Sequence, residues 1–266
     1  MGEILFEVRA SVAILTLSNV DVRNALTQAM NEELIRRCDE IDATPEIGAV
    51  VVQGAGGTFC AGSDRREWLG AAADPASQAG YQRTSIIYRT FLRFGSLSVP
   101  TIAAVRGVAT GGGLNLALAA DVRIVAHEAR LVGGFLQNGL HPGGGLFTLL
   151  GRSAGREMAA AIGLLGIEIS GRQAASAGLA LESLPDDQVE QRAWEYASIA
   201  ARDPELTRIA TQSYREQLGP PPVPWSIAAE SDRGKQMWSH RRRQDDGGRA
   251  TDGSPGVGRE PRATAP

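Results

Sequence analysis

Two stretches of this 266-residue chain place small residues and glycine where backbone can meet a ligand closely. Thr58-Phe59-Cys60-Ala61-Gly62-Ser63-Asp64 comes shortly after the apolar run Ala49 to Val52, and Gly111-Gly112-Gly113 opens the helix-prone Leu114 to Ala120. Small side chains there leave the amide N–H of Ser63 bare, and the same holds for Gly112. Two such N–H groups aimed at one carbonyl form an oxyanion hole, which stabilises negative charge as it develops on that oxygen. A helix start at Gly112 adds about half a positive charge. The plainer alternative is that these glycines serve only tight turns.

Other chemistry fits the residues less well. Neither glycine cluster continues as Gly-Lys-Ser/Thr, and neither forms G-x-G-x-x-G after a strand with an acid further on, so phosphate cradling is disfavoured. Gly151-Arg152-Ser153-Ala154-Gly155 matches the nucleophile elbow G-x-S-x-G, yet Leu146 to Leu150 before it reads as helix rather than strand. The only downstream histidine is His240, so a helix-capping loop is the better reading.

Composition narrows the class. With 43% hydrophobic and 21% charged residues the chain is a globular protein, and a net charge of −3 lacks the basic excess of a nucleic-acid binder. No apolar run approaches the roughly 20 residues of a membrane span, and MGEILFEVRA has no basic segment ahead of its apolar stretch, so a cytoplasmic location is expected. Two cysteines, Cys38 and Cys60, and three histidines, His127, His141 and His240, make a disulfide framework or a metal site improbable. Glycine, at 32 residues, is well above the usual ~7%.

The elements that must position these residues follow from periodicity. Ile4 to Arg9 and Val12 to Leu17 alternate apolar and polar residues around a short Ala-Ser break, which predicts a β-hairpin. Met30, Leu34, Ile35, Cys38 and Ile41 recur at helical spacing between Thr27 and Ala43. Ala49 to Val52 and Thr101 to Val105 read as buried strands, Val122 to Ala126 as another, and Tyr81 to Phe94 as helix after a loop at residues 70–80. Beyond Pro142-Gly143-Gly144-Gly145 the chain reads as helical to about Ser239. The expected class is α/β, with a core over residues 1–200, a helical region over 201–240 and a disordered, apolar-poor tail over 241–266.

Asn24-Ala25-Leu26, Phe59-Cys60-Ala61-Gly62-Ser63-Asp64, Gly107 followed by Gly111-Gly112-Gly113, Ala120-Asp121-Val122-Arg123 and Gly139-Leu140-His141-Pro142-Gly143-Gly144 resemble the crotonase (enoyl-CoA hydratase/isomerase) family in order and spacing. The resemblance covers roughly residues 4–240. It implies a spiral of ββα repeats, a helical C-terminal region that makes trimer contacts, and a homotrimer or a hexamer of two trimers. It implies an acyl-CoA or acyl-carrier thioester whose carbonyl is held by Ser63 and Gly112, with coenzyme A as part of the substrate and no separate cofactor. Adenosine and pantetheine are then expected along Val22, Arg23, Ala25, Ala61, Ser63, Asp64, Arg65 and Arg66.

Departures from the family pattern decide the expected chemistry. Hydratases of the family hold water between two glutamates, whose positions here carry Asn115 and, by ungapped alignment, Phe135. Other members place an aspartate just after the proline of the later motif, where this chain has Gly143. An amide or a phenyl ring takes up no proton at neutral pH, so hydration of a 2-enoyl thioester is expected to be slow. One explanation is a decarboxylase-type lyase, in which loss of CO2 makes the enolate and Asn115 donates a hydrogen bond to the substrate carboxylate. Asn115 has an equal alternative as a helix residue bonded to backbone, and His141 is either a proton carrier or a loop-packing residue. A second explanation is a non-catalytic accessory protein that binds the thioester; a third is isomerase or hydrolase chemistry with a base relocated to Glu67 or His141. Retention of both hole segments favours the first.

Overall fold

The computed structural model describes residues 2–64, 66–67, 74, 76–218 and 225–245. Strands β1 (Glu3–Arg9) and β2 (Val12–Ser18) form the expected hairpin, with Arg9 opposite Val12. Ala10 and Ser11 both take positive φ at the turn, 47° and 64°, the geometry of a two-residue hairpin loop. The strands β3 (Ala49–Gly54), β4 (Thr101–Val105), β6 (Val122–Ala126) and β9 (Glu182–Leu184) then add in parallel, so that the sheet runs β1-β2-β3-β4-β6-β9. A smaller sheet joins β5 (Val108–Thr110), β7 (Arg130–Val132) and β8 (Ile169–Ser170) in the order β5-β7-β8. β3 and β4 lack apolar-polar alternation because parallel strands covered on both faces have no solvent side to mark.

Helices cover these sheets. α1 (Gln28–Ala43) starts at Thr27, whose side chain accepts from the Met30 N–H, and it buries Met30, Leu34, Cys38 and Ile41. α2 (Gln78–Gly95) is capped in the same way by Ser77 and packs along α1. α3 (Gly112–Ala119) is enclosed by α2, by β5 and by α4 (Leu146–Gly163), and every residue from Gly113 to Ala119 is buried. After the short α5 (Gly171–Ser176), α6 (Val189–Ala200) lies across β3, β4 and β6, α7 (Pro204–Leu218) follows, and α8 (Trp225–Asp245) packs on α2 and α4. Among the described residues no helix is long and apolar enough to cross a membrane.

Four expectations need correction. The second half is not wholly helical: Ile169–Ser170 and Glu182–Leu184 are strands too short for periodicity to register, and the latter closes one edge of the main sheet. The segment expected to be disordered from residue 241 continues α8 through Asp245, while 246–266 lie outside the described residues. Residues 70–73 and 75 of the expected loop also lie outside them, and residues 78–80 already belong to α2. The Gly151–Gly155 segment lies inside α4, which kinks at Ala154 and Gly155, so Ser153 is on a helix and not at a strand-to-helix elbow.

One buried polar residue ties the N-terminal part of the fold to the glycine loop. Asn24 is fully buried with φ of 56°; its Nδ2 donates to Ala55 O (2.8 Å) and Thr58 O (2.6 Å), and its Oδ1 accepts from Asn19 N (2.9 Å). Alanine here abandons three bonds and keeps the strained backbone. Asn24→Ala is expected to lower unfolding free energy by about 3 kcal/mol, read as a lower urea midpoint with an unchanged slope. A loss below about 1 kcal/mol would show that the loop is held by other means.

Candidate functional site

The loop at Cys60–Asp64 lies between two neighbouring segments. Cys60 pairs with Ala109 and Ser63 pairs with Leu26, each as a parallel bridge. On one side Cys60 N donates to Val108 O (2.9 Å) and Thr110 N to Cys60 O (3.0 Å). On the other, Ala61 N donates to Arg23 O (2.9 Å), Leu26 N to Gly62 O (2.8 Å) and Asp64 N to Leu26 O (2.9 Å). In such a bridge the bonds to Leu26 are made by the residues flanking Ser63, so the amide of Ser63 itself faces the opposite side.

That side is the start of α3. Gly112 is the first residue of the helix, so its N–H has no acceptor one turn earlier. A β-carbon built on Gly112 would lie 3.5 Å from Ser63 N and 3.2 Å from Ser63 Oγ, while one on Gly62 would lie 3.4 Å from Gly112 N. The two amides are therefore adjacent. Gly111 makes this turn with φ of 54° and ψ of −116°, a conformation open only to glycine, and a β-carbon on Gly113 would sit 2.2 Å from Cys60 O. Glycine at these two positions lets the helix start touch the loop.

Ser63 and Gly112 both line one cavity of about 120 Å³, together with Gly62, Gly111 and Asn115 and with Ile87, Tyr88 and Phe91 of α2. Phe135, Asn138, Leu140, Gly143 and Gly144 form the facing wall, and Gln236 and His240 of α8 close it. Asn115, Phe135 and Gly143 thus stand round the same space. No carboxylate and no lysine is among its described lining residues. Asn115 is 1% exposed; its Nδ2 donates to Gly143 O (2.8 Å), leaving a second N–H on that nitrogen, and its buried Oδ1 has no partner among the described residues. Asn115 therefore also acts as a strut between α3 and the 139–144 loop.

The remaining candidates divide. The two segments assigned to the carrier portion run side by side through the bonds of Arg23, Leu26, Ala61 and Asp64, with Val22 ending a short 3-10 turn and Ala25 buried beside it. Asp64 Oδ1 accepts from Arg66 N (2.9 Å) and Nε (3.1 Å), and its Oδ2 from Nη2 (2.6 Å). That Arg66 guanidinium holds the Asp64 carboxyl below the usual carboxylate range, while 73% of the Arg66 side chain stays exposed. Arg65 lies outside the described residues. His141 is not among the described residues lining the cavity; its Nδ1 lies 2.7 Å from Pro142 O, and its carbonyl accepts from Gln236 Nε2 (3.2 Å). Glu67 is likewise elsewhere, in an adjoining hollow with Gln28 and Arg83, where its Oε2 accepts from Gln28 N (2.7 Å) at the start of α1. Cys60 is fully buried and its thiol is pushed up to about 12, so it stays protonated and is no nucleophile.

Tyr88, Phe91, Gln236 and His240 were not singled out for the site from the sequence. Ile87, Tyr88 and Phe91 fit the helical spacing of an ordinary core face, and Gln236 and His240 are one turn apart at the edge of a polar segment. Only the packing of α8 on α2 and α4 brings them to the cavity.

A family model described as Enoyl-CoA hydratase/isomerase matches residues 7–250. A probable enoyl-CoA hydratase of Mycobacterium tuberculosis is 38% identical over 217 residues, covering 82% of this chain and 83% of its own length. The 1,2-epoxyphenylacetyl-CoA isomerase of Escherichia coli is 32% identical over 204 residues, 77% of this chain and 78% of that protein. Among solved structures, an enoyl-CoA hydratase/isomerase from Xanthobacter autotrophicus Py2 superposes with a TM-score of 0.80 at 29% identity, covering 93% of this chain and 95% of that one. The α/β architecture, the adjacent pair of amides and these similarities agree, and the chain belongs to the enoyl-CoA hydratase/isomerase family of acyl-CoA enzymes.

Proposed function

We propose that this protein binds an acyl-CoA or acyl-carrier thioester with its carbonyl oxygen between the amides of Ser63 and Gly112, and that it is a decarboxylase-type lyase working through the thioester enolate. The observation that carries this reading is a cavity lined by Ser63 and Gly112 with no carboxylate among its described lining residues. Water addition needs groups that take and give protons. Loss of CO2 needs none to begin: the Cα–carboxylate bond breaks, its electron pair enters the enolate, and the charge collects on the oxygen facing the two amides. Ile87, Phe91, Phe135 and Leu140 make the wall largely apolar, so a substrate carboxylate entering it loses hydration that neutral CO2 does not need. The second N–H of Asn115 Nδ2 is assigned to that carboxylate. Val22, Arg23, Ala25, Ala61, Asp64, Arg65 and Arg66 are assigned to the carrier portion, and a homotrimer or hexamer is the assembly proposed by analogy with the family.

This reading predicts that crotonyl-CoA is hydrated at least ~10³-fold more slowly than by an ordinary hydratase, measured by loss of the enoyl absorbance. A rate within about tenfold of normal would mean that a carboxylate does reach the cavity. Malonyl-CoA or methylmalonyl-CoA is expected to release CO2, and Asn115→Ala to slow that release; unchanged release removes Asn115 from the reaction. Gly112→Ala sets a methyl 3.5 Å from Ser63 N and 3.3 Å from Phe91 Cζ, narrowing the space between the amides. It is expected to cut kcat/KM for CO2 release about 10²- to 10³-fold with the fold retained. An effect below about threefold would detach the reaction from this pair of amides.

A further inference from the structure

The space in front of residue 143 is filled, and what fills it carries a proton. A β-carbon built on Gly143 would lie 2.7 Å from the Tyr88 hydroxyl, 2.5 Å from Gln236 Nε2 and 2.7 Å from Gln236 Oε1. The Tyr88 hydroxyl and the Gln236 amide therefore stand where an acidic side chain at position 143 would have to begin, and such a side chain enters only if the ends of these two side chains shift.

The pair has a defined polarity. Gln236 Nε2 donates to His141 O (3.2 Å), which turns its Oε1 towards Tyr88 as the acceptor of the phenolic hydrogen. The backbone amide of Gly144 opposes the effect of burial on the phenol by lowering its pKa. Tyr88 is 5% exposed and burial raises its pKa, so the phenol is fully protonated at neutral pH. Among the described lining residues only Tyr88 and His240 carry side chains suited to proton transfer. The Phe91 ring, one turn beyond Tyr88 on α2, links the two ends of the cavity: its Cζ lies 3.3 Å from a β-carbon on Gly112 and its Cδ2 lies 3.4 Å from one on Gly144.

We propose that Tyr88 is the proton donor that quenches the thioester enolate at Cα, and that Gln236 is the residue that positions it. This inference rests on the enolate reading given above. In the step, the enolate electron pair forms the new Cα–H bond with the Tyr88 proton as the carbonyl reforms. The resulting phenolate is reprotonated by water entering the cavity. Delivery from one fixed wall fixes which face of the planar enolate receives the proton.

The test uses the intact protein and methylmalonyl-CoA in D2O, with CO2 release and the configuration of the 2-deuteriopropionyl-CoA as separate readouts. The native enzyme is expected to give one configuration. Tyr88→Phe, which removes only the hydroxyl, is expected to slow CO2 release by less than about tenfold while the product becomes nearly racemic. Gln236→Leu is expected to move configuration in the same direction and to a smaller extent. Retention of a single configuration by Tyr88→Phe overturns the proposal and assigns the proton to another donor, with His240→Phe then expected to lose it. Absence of CO2 release by the native enzyme instead overturns the decarboxylase reading. In that event, Cα hydrogen exchange of propionyl-CoA in D2O still tests Tyr88: a rate at least about tenfold lower in Tyr88→Phe supports the assignment, and an equal rate overturns it.

Discussion

Everything at this site depends on how a loop is held between two strand-like segments. Residues 60–64 bond to 23–26 on one side and to 108–110 on the other, and these bonds use the amides of Cys60, Ala61 and Asp64 while turning that of Ser63 towards the start of α3. Neither amide is placed by a side chain of its own. Their positions are fixed by backbone pairing, by the strained turn at Gly111 and by the close contact of Gly113 with Cys60 O. Such a site is rigid before a ligand arrives, and preorganised donors of this kind stabilise charge without paying for reorganisation during the reaction. The buried Asn24 bonds extend the same constraint to the N-terminal hairpin, so core stability and site geometry are coupled.

The side chains around this frame show a division of labour. α3 and the loop supply the amides, α2 supplies Ile87, Tyr88 and Phe91, and α8 supplies Gln236 and His240. Asn115 braces α3 against the 139–144 loop through Gly143 O, and Tyr88 and Gln236 fill the space before the same glycine. Positions where the family resemblance leads one to expect acids are thus built into a hydrogen-bonded wall. A carboxylate placed at 143 would meet Tyr88 and Gln236, so its entry requires the ends of those two side chains to move.

Much of the frame was legible in the sequence. The hairpin, α1, β3, β4 and β6 follow from period and run length, and the two glycine junctions marked the amides because glycine there answers to close backbone approach. The short β8 and β9 escaped because two or three residues carry no period, and their pairing is set by distant strands. His141 stood out as a histidine within a motif, but its Nδ1 lies against Pro142 O and it is not among the described residues lining the cavity. Tyr88, Gln236 and His240 were hidden for the converse reason: Tyr88 lies 148 residues before Gln236 in the chain and meets it only through the packing of α8 on α2.

The central claim is that Ser63 and Gly112 polarise a thioester carbonyl. It is tested most directly by infrared difference spectroscopy of a 13C-labelled acyl-CoA, carbonyl-labelled, bound to the native protein and to Gly112→Ala. Two hydrogen bonds to the oxygen weaken the C=O bond, so the account predicts a carbonyl band shifted to lower frequency in the native complex and returned towards its solution position in the variant. A bound thioester whose carbonyl band stays at the solution frequency in the native protein would contradict it.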